Sequence, residues 1–138
     1  YEPKIFSVDG MDGILTLDNF DKSLAEDVML LTPFTADATD DLTQNFVKTY
    51  KEKYEDTPNQ FAADAYDCVY AIYEAAKKAS VTADMSASDI CDKLIAEFTS
   101  SDFTFSGLTG NNVSWSDTGE VSKEPKGMVI KKGVYVGM

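Results

Sequence analysis

The stretch Asp9-Gly10-Met11-Asp12-Gly13 sets two carboxylates three residues apart, directly after the apolar run Ile5-Phe6-Ser7-Val8. Carboxylates in such a place have three chemical uses: acid–base catalysis, metal ligation, or charge-assisted hydrogen bonding to an ammonium group. A catalytic pair needs a defined separation and a partner group, and the sequence offers no such partner. With no histidine in the chain, Ser-His-Asp and Cys-His nucleophiles are excluded, and two isolated cysteines cannot complete a zinc tetrahedron. For calcium, Asp37, Thr39 and Asp41 alternate, but Leu42 and Lys48 stand where an EF-hand loop needs Gly and Glu. No catalytic residue, metal ligand or cofactor is therefore expected. Asp9, as an acceptor for a ligand ammonium with Gly10 admitting close backbone approach, is the remaining chemical use. The same pair is also an ordinary strand-to-loop turn, and residue pattern alone leaves both readings open.

Charge narrows the partners. The 12 basic residues are all Lys, against 24 acidic ones, for a net charge of −12. Without Arg there is no bidentate fork for phosphate, and the negative balance repels nucleic acid and anionic lipid, so no nucleic-acid partner is expected. Cationic or zwitterionic ligands are favoured instead. The length suits one ordinary domain, and 43% hydrophobic residues are enough to build a core. No apolar run reaches the roughly 20 residues that span a bilayer, and no basic start with an apolar segment marks a signal peptide. The chain opens on Tyr1 rather than Met, so residues upstream of it are expected.

The elements that must position Asp9 follow from periodicity. Ile5 to Val8 reads as a buried strand stopped by Asp9-Gly10, and Val28-Met29-Leu30-Leu31 as a second, stopped by Thr32-Pro33. The intervening stretch, carrying Leu15, Leu17, Phe20 and Leu24, predicts a crossover helix joining two parallel strands. Three helices come next. The first opens at Thr39, with Leu42, Phe46, Val47, Tyr50 and Tyr54 on its apolar face. Thr57-Pro58-Asn59-Gln60 reads as a capping box with Pro at the first helical position of the second. That helix runs to Lys77-Lys78 and is apolar over so much of its circumference that burial on more than one side is expected. The third spans about Ser88 to Phe98. Short β pieces close the chain, among them a hairpin of Met128-Val129-Ile130 and Val134-Tyr135-Val136 about Lys131-Lys132-Gly133. Strands are too few for three such helices, which implies a larger protein with more sheet upstream of Tyr1. Tyr66, Tyr70 and Tyr73 read as core, and Cys68 and Cys91 as buried, unpaired thiols on neighbouring helices, with oxidation open in an exported protein.

Four segments together resemble a known family. They are Val8-Asp9-Gly10-Met11-Asp12, the run from Phe46 to Tyr54, the run from Thr57 through Tyr66-Asp67-Cys68-Val69, and Phe105-Ser106-Gly107-Leu108-Thr109-Gly110 with Val113 to Gly119. In this order and spacing the chain is similar to solute-binding proteins of branched-chain amino-acid ABC transporters. The resemblance implies an α/β, type I periplasmic-binding-protein-like fold with three-layer parallel-sheet lobes, present here as a C-terminal portion. Residues 1–33 and 122–138 would belong to one lobe and residues 34–121 to the other, with the remainder upstream. It implies no enzyme but an extracytoplasmic protein, made with a signal peptide and anchored by lipid in some forms, that captures an aliphatic amino acid in a hinged cleft. A membrane permease would then read the closed form. By the same resemblance Asp9 would meet the ligand's ammonium with Gly10 beside it; Asp12 and Phe34 are cleft candidates by their proximity to that pair. Met11 departs from the family's large aromatic and Glu26-Asp27 from its Glu-Gly, which bears on ligand identity. The exposed apolar helix surface of such a portion implies self-association.

Two rivals remain on the residues. One is the effector-binding domain of a regulator with the same fold, against which the acidic charge and the helix motifs weigh. The other is a phosphoacceptor or enzyme built on Asp9, for which no His, Arg or phosphate loop is at hand.

Overall fold

The computed structural model describes residues 2–138; Tyr1, with which the first expected lobe segment begins, lies outside the described residues. Strand β1 (Phe6–Ser7) pairs parallel with β2 (Met29–Thr32), Phe6 lying opposite Met29. β2 then pairs antiparallel with β3 (Lys126–Lys131), which pairs antiparallel with β4 (Val134–Gly137), giving the order β1-β2-β3-β4. The expected hairpin is present. Its two-residue turn needs positive φ at both positions, met by Lys132 at 52° and Gly133 at 74°. Parallel pairing is confined to β1 and β2: the tight turn returns β4 antiparallel beside β3, and β3 itself runs antiparallel to β2.

One face of the sheet is dry. Leu30 lies opposite Met128, and both join Leu15, Ala25, Val28 and Ile130 in a core cluster capped by Met11, Ile14, Phe20 and Tyr135. Each fully buried Leu, Val, Ile or Met side chain among them contributes roughly 1.5–3 kcal/mol. The segment that covers them is not the crossover helix predicted. It is three short 3-10 turns at Asp9–Met11, Ile14–Thr16 and Lys22–Ala25. Left-handed backbone at Gly13, Asn19 and Asp27 interrupts it, and the Thr16 hydroxyl donates back to the Gly13 carbonyl at 2.8 Å. Apolar spacing at 15, 17, 20 and 24 never completes a helical stripe, and Leu17 and Leu24 point to solvent.

Helix α1 (Asp41–Tyr54) is capped by Asp40, whose carboxylate accepts the Thr43 N–H at 2.9 Å. Of its expected face, Phe46 and Val47 are buried while Leu42 and Tyr54 are exposed. Helix α2 (Gln60–Lys78) starts later than the capping box implied. The Asn59 side chain accepts the Ala62 N–H at 3.2 Å, so Asn59 and not Thr57 is the cap. Asn caps a helix as well as Thr does, and this position leaves Pro58 outside the helix. Nor is α2 buried on more than one side. Ala63, Asp67, Ala71 and Ala75 form one buried stripe at a four-residue spacing, whereas Val69, Tyr70, Ile72 and Tyr73 are exposed. Helix α3 (Ala87–Phe98) is capped by Ser86 and buries no residue fully. Cys68 and Cys91 are free, as expected, but exposed rather than buried.

The chain divides into two compact units. One comprises residues up to Ala62 together with Glu124–Met138, and the other Ala63–Lys123. In the second, Phe98, Phe103 and Trp115 pack as an aromatic cluster with centroids 4.8–5.9 Å apart. Lys78 ties its helices to the following loop, pairing with Glu97 at 2.9 Å and donating to the Asp102 carbonyl at 2.7 Å.

Candidate functional site

β1 and β2 run parallel, so their carboxyl ends open on the same edge of the sheet, where open α/β sheets place their ligands. Asp9 lies two residues beyond β1, in the 3-10 turn Asp9–Met11. The Asp12 N–H donates to the Asp9 carbonyl at 2.8 Å and closes that turn. The Asp9 carboxylate accepts the Gly10 N–H at 2.9 Å, is exposed, and among the described residues forms no ion pair. A Cβ built on Gly10 would meet nothing within 4 Å, so the backbone beside Asp9 is bare. An accessible carboxylate next to uncovered backbone can accept hydrogen bonds from an ammonium group.

Asp12 sits three residues on but is occupied differently. Its Oδ1 accepts the Gly13 N–H at 2.9 Å and its Oδ2 the Gln60 N–H at 2.7 Å. Gln60 is the first residue of α2, so its N–H has no partner within the helix and an anion there is favoured. The Gln60 side chain is 1% exposed, and its Oε1 accepts the Thr32 hydroxyl at 2.7 Å at the end of β2. The Tyr135 hydroxyl accepts the Gly13 N–H at 3.1 Å. Burial, followed by the negative charge of Asp12, pushes the Tyr135 phenol above its ordinary value. Gly13 has φ of 90°, a conformation that glycine adopts without strain.

The structure thus brings Asp9, Gly10 and Asp12 onto one turn and its boundary. Phe34 follows β2 on the same edge, but its ring is 3% exposed and packs edge-on against Phe46 at 6.0 Å. Thr32, Gln60 and Tyr135 were not legible as neighbours of the turn. Gln60 reads locally as a capping-box residue and Tyr135 as one more strand aromatic; the contacts span 48 and 122 residues. Among the described residues, no group of three or more Cys, Asp or Glu side chains could hold a metal ion, and no helix is long and apolar enough to cross a membrane.

An α/β chain of this topology has the fold of the type I periplasmic binding proteins. Residues 8–133 match the periplasmic binding protein family, and the chain belongs to that family, whose members are binding proteins. No curated protein matches it significantly. A leucine-binding protein of Thermotoga maritima is 20% identical, with a TM-score of 0.73 over 100% of this chain and 37% of its own. A branched-chain amino acid transporter substrate-binding protein of Streptococcus pneumoniae, solved with isoleucine, is 24% identical, with a TM-score of 0.73 over 99% of this chain and 38% of its own. An ABC-transporter solute-binding protein of R. palustris, solved with benzoate, is 18% identical, with a TM-score of 0.67 over 92% of this chain and 32% of its own. At these identities the likeness is one of fold. The chain spans between 32% and 38% of the length of these three proteins.

Proposed function

We propose that the chain is part of the extracytoplasmic solute-binding component of an ABC importer, and that it takes an amino acid of the aliphatic or branched-chain type. The observation that carries this reading is the accessible carboxylate of Asp9, without an ion pair among the described residues, beside the bare backbone of Gly10 and beyond the end of β1 in a family of binding proteins. The ligand's ammonium would donate to Asp9, each charge-assisted bond contributing roughly 1.5–3 kcal/mol. Gly10 would let the ligand lie against the main chain. The Phe34 ring, already packed on Phe46, would support that edge of the sheet rather than contact the ligand.

The function is capture and release without covalent chemistry. Ligand that bridges two lobes and binds the closed arrangement better shifts the hinge equilibrium by its differential affinity, and a permease reads the closed form. Two solved relatives of similar fold carry isoleucine and benzoate, which sets the competing ligand classes: one has an ammonium group and one does not. Titration calorimetry of the intact protein against leucine, isoleucine and benzoate tests the reading. Binding of the amino acids supports it; binding of benzoate alone overturns the assignment of an amino acid.

A further inference from the structure

We infer that Asp12 is a positioning residue that tethers the turn carrying Asp9 to the start of α2 and leaves the ligand to its neighbour. The inference rests on the reading of Asp9 as the ligand's acceptor, although the tether itself stands on geometry alone. Each Asp12 oxygen already holds a backbone N–H, that of Gly13 at 2.9 Å and that of Gln60 at 2.7 Å. The Gln60 amide is one of the four at a helix start that lack an intrahelical acceptor, so Asp12 satisfies a donor that α2 cannot. Its neighbour Asn59 caps the Ala62 N–H, and the two side chains divide the helix start between them.

The consequence for Asp9 is mechanical. The turn Asp9–Met11 is held at one end by β1 and at the other by Asp12, whose own N–H closes the turn onto the Asp9 carbonyl at 2.8 Å. Gly13, directly after Asp12, is fixed by the Tyr135 hydroxyl of β4 at 3.1 Å. Gln60 is fixed through its side chain to Thr32 at the end of β2. Asp12 therefore joins three stretches of chain, remote in sequence, at the point where Asp9 must be aimed. A recognition group is only as well placed as the shell that holds it. The two carboxylates of the Asp9–Asp12 pair thus have separate duties: Asp9 supplies accessible charge, and Asp12 supplies two hydrogen-bond acceptors.

Substitutions separate the duties. Asparagine keeps one acceptor oxygen at position 12 without the charge, whereas alanine keeps neither. Amide hydrogen exchange on the ligand-free protein is the first measurement. Asp12→Ala should speed exchange at Gly13 and Gln60 at least tenfold with cooperative unfolding retained, and Asp12→Asn should speed it less. Unchanged exchange at both amides in Asp12→Ala overturns the tether; if that variant does not fold, Asp12→Asn decides by the same two amides. Ligand affinity is the second measurement. Asp12→Asn should retain wild-type affinity within about threefold while Asp12→Ala loses at least tenfold. Equal losses of tenfold or more in both would mean that the ligand feels the Asp12 charge directly, which overturns the inference. If the wild type binds no amino acid, the proposed ligand fails while the exchange result still decides the tether.

Discussion

Asp67 and Thr109 are joined twice through one oxygen: Oδ2 of Asp67 accepts the Thr109 N–H at 2.8 Å and the Thr109 hydroxyl at 2.7 Å. The other oxygen accepts the Leu108 N–H at 2.8 Å. Asp67 is 6% exposed, on the buried alanine stripe of α2, and these three donors satisfy its oxygens there. A buried aspartate at this helical position thus holds the loop that returns the chain toward the strands. Removing it strands three buried donors at about 1–3 kcal/mol each. Asp67→Ala should therefore cost about 3 kcal/mol or more, read as a fall in denaturation midpoint at unchanged slope. Gly107→Ala should also destabilise, because its Cβ would fall 2.3 Å from an Asp67 oxygen and 2.6 Å from the Phe105 ring. A stability change under 0.5 kcal/mol in either variant would contradict this account.

The start of α1 makes a pH-dependent prediction. The Thr43 N–H holds the Asp40 carboxyl below its ordinary value. A depressed folded pKa stabilises the fold above the unfolded pKa, near 3.9, and the gain is lost as pH falls through the folded value. Asp40→Asn, an equally good cap, should match wild type at pH 7 within a few tenths of a kcal/mol. It should then lose less stability than wild type between pH 5 and pH 2. Asp40→Ala should cost about 1 kcal/mol at pH 7, moderated by the exposure of the site. Parallel acid melting curves for wild type and Asp40→Asn would contradict the cap.

Tyr135 titrates in the opposite direction. Its phenol is raised, by burial first and by Asp12 second, so the folded state holds the proton more tightly than the unfolded chain. The stability this gives is complete below the unfolded value near 10 and is lost as pH rises through the folded value. Absorbance titration should show two tyrosines, Tyr135 and Tyr66, ionising later than the rest, and Asp12→Asn should bring Tyr135 part of the way back while leaving Tyr66 in place. A homogeneous tyrosine titration in the wild type would contradict the burial.

The elements were legible wherever a local rule decided them. Lys132-Gly133 announces a tight hairpin and the run to Leu31 announces β2, whereas the helix starts expected at Thr39 and near Ser88 fall one and two residues from the observed caps, Asp40 and Ser86. The segment from Gly13 to Ala25 differs from the crossover helix expected because its leucines look helical while Asn19 within it, and Asp27 just beyond it, take left-handed backbone that their types only permit. Asn59 displaced Thr57 as cap because two good caps lay two residues apart, and the choice turned on Gln60 reaching both Asp12 and Thr32. At the candidate site, the turn bearing Asp9 and Gly10 was legible from a strand end followed by Asp-Gly. The separate tasks of Asp9 and Asp12 were not, since both are acids in one turn and only the contact to Gln60, 48 residues away, distinguishes them. Burial of Phe34 against Phe46 is likewise a fact of packing that no spacing encodes.

Calorimetric comparison of one amino acid with its deaminated analogue tests most directly whether Asp9 receives an ammonium group. Wild-type intact protein should bind isoleucine, and Asp9→Ala should weaken that binding at least tenfold, consistent with one charge-assisted bond. The same substitution should leave the affinity for 3-methylpentanoate, the same skeleton without the amine, unchanged within about twofold. Equal isoleucine affinity in wild type and Asp9→Ala, or equal losses for both ligands, would contradict the account.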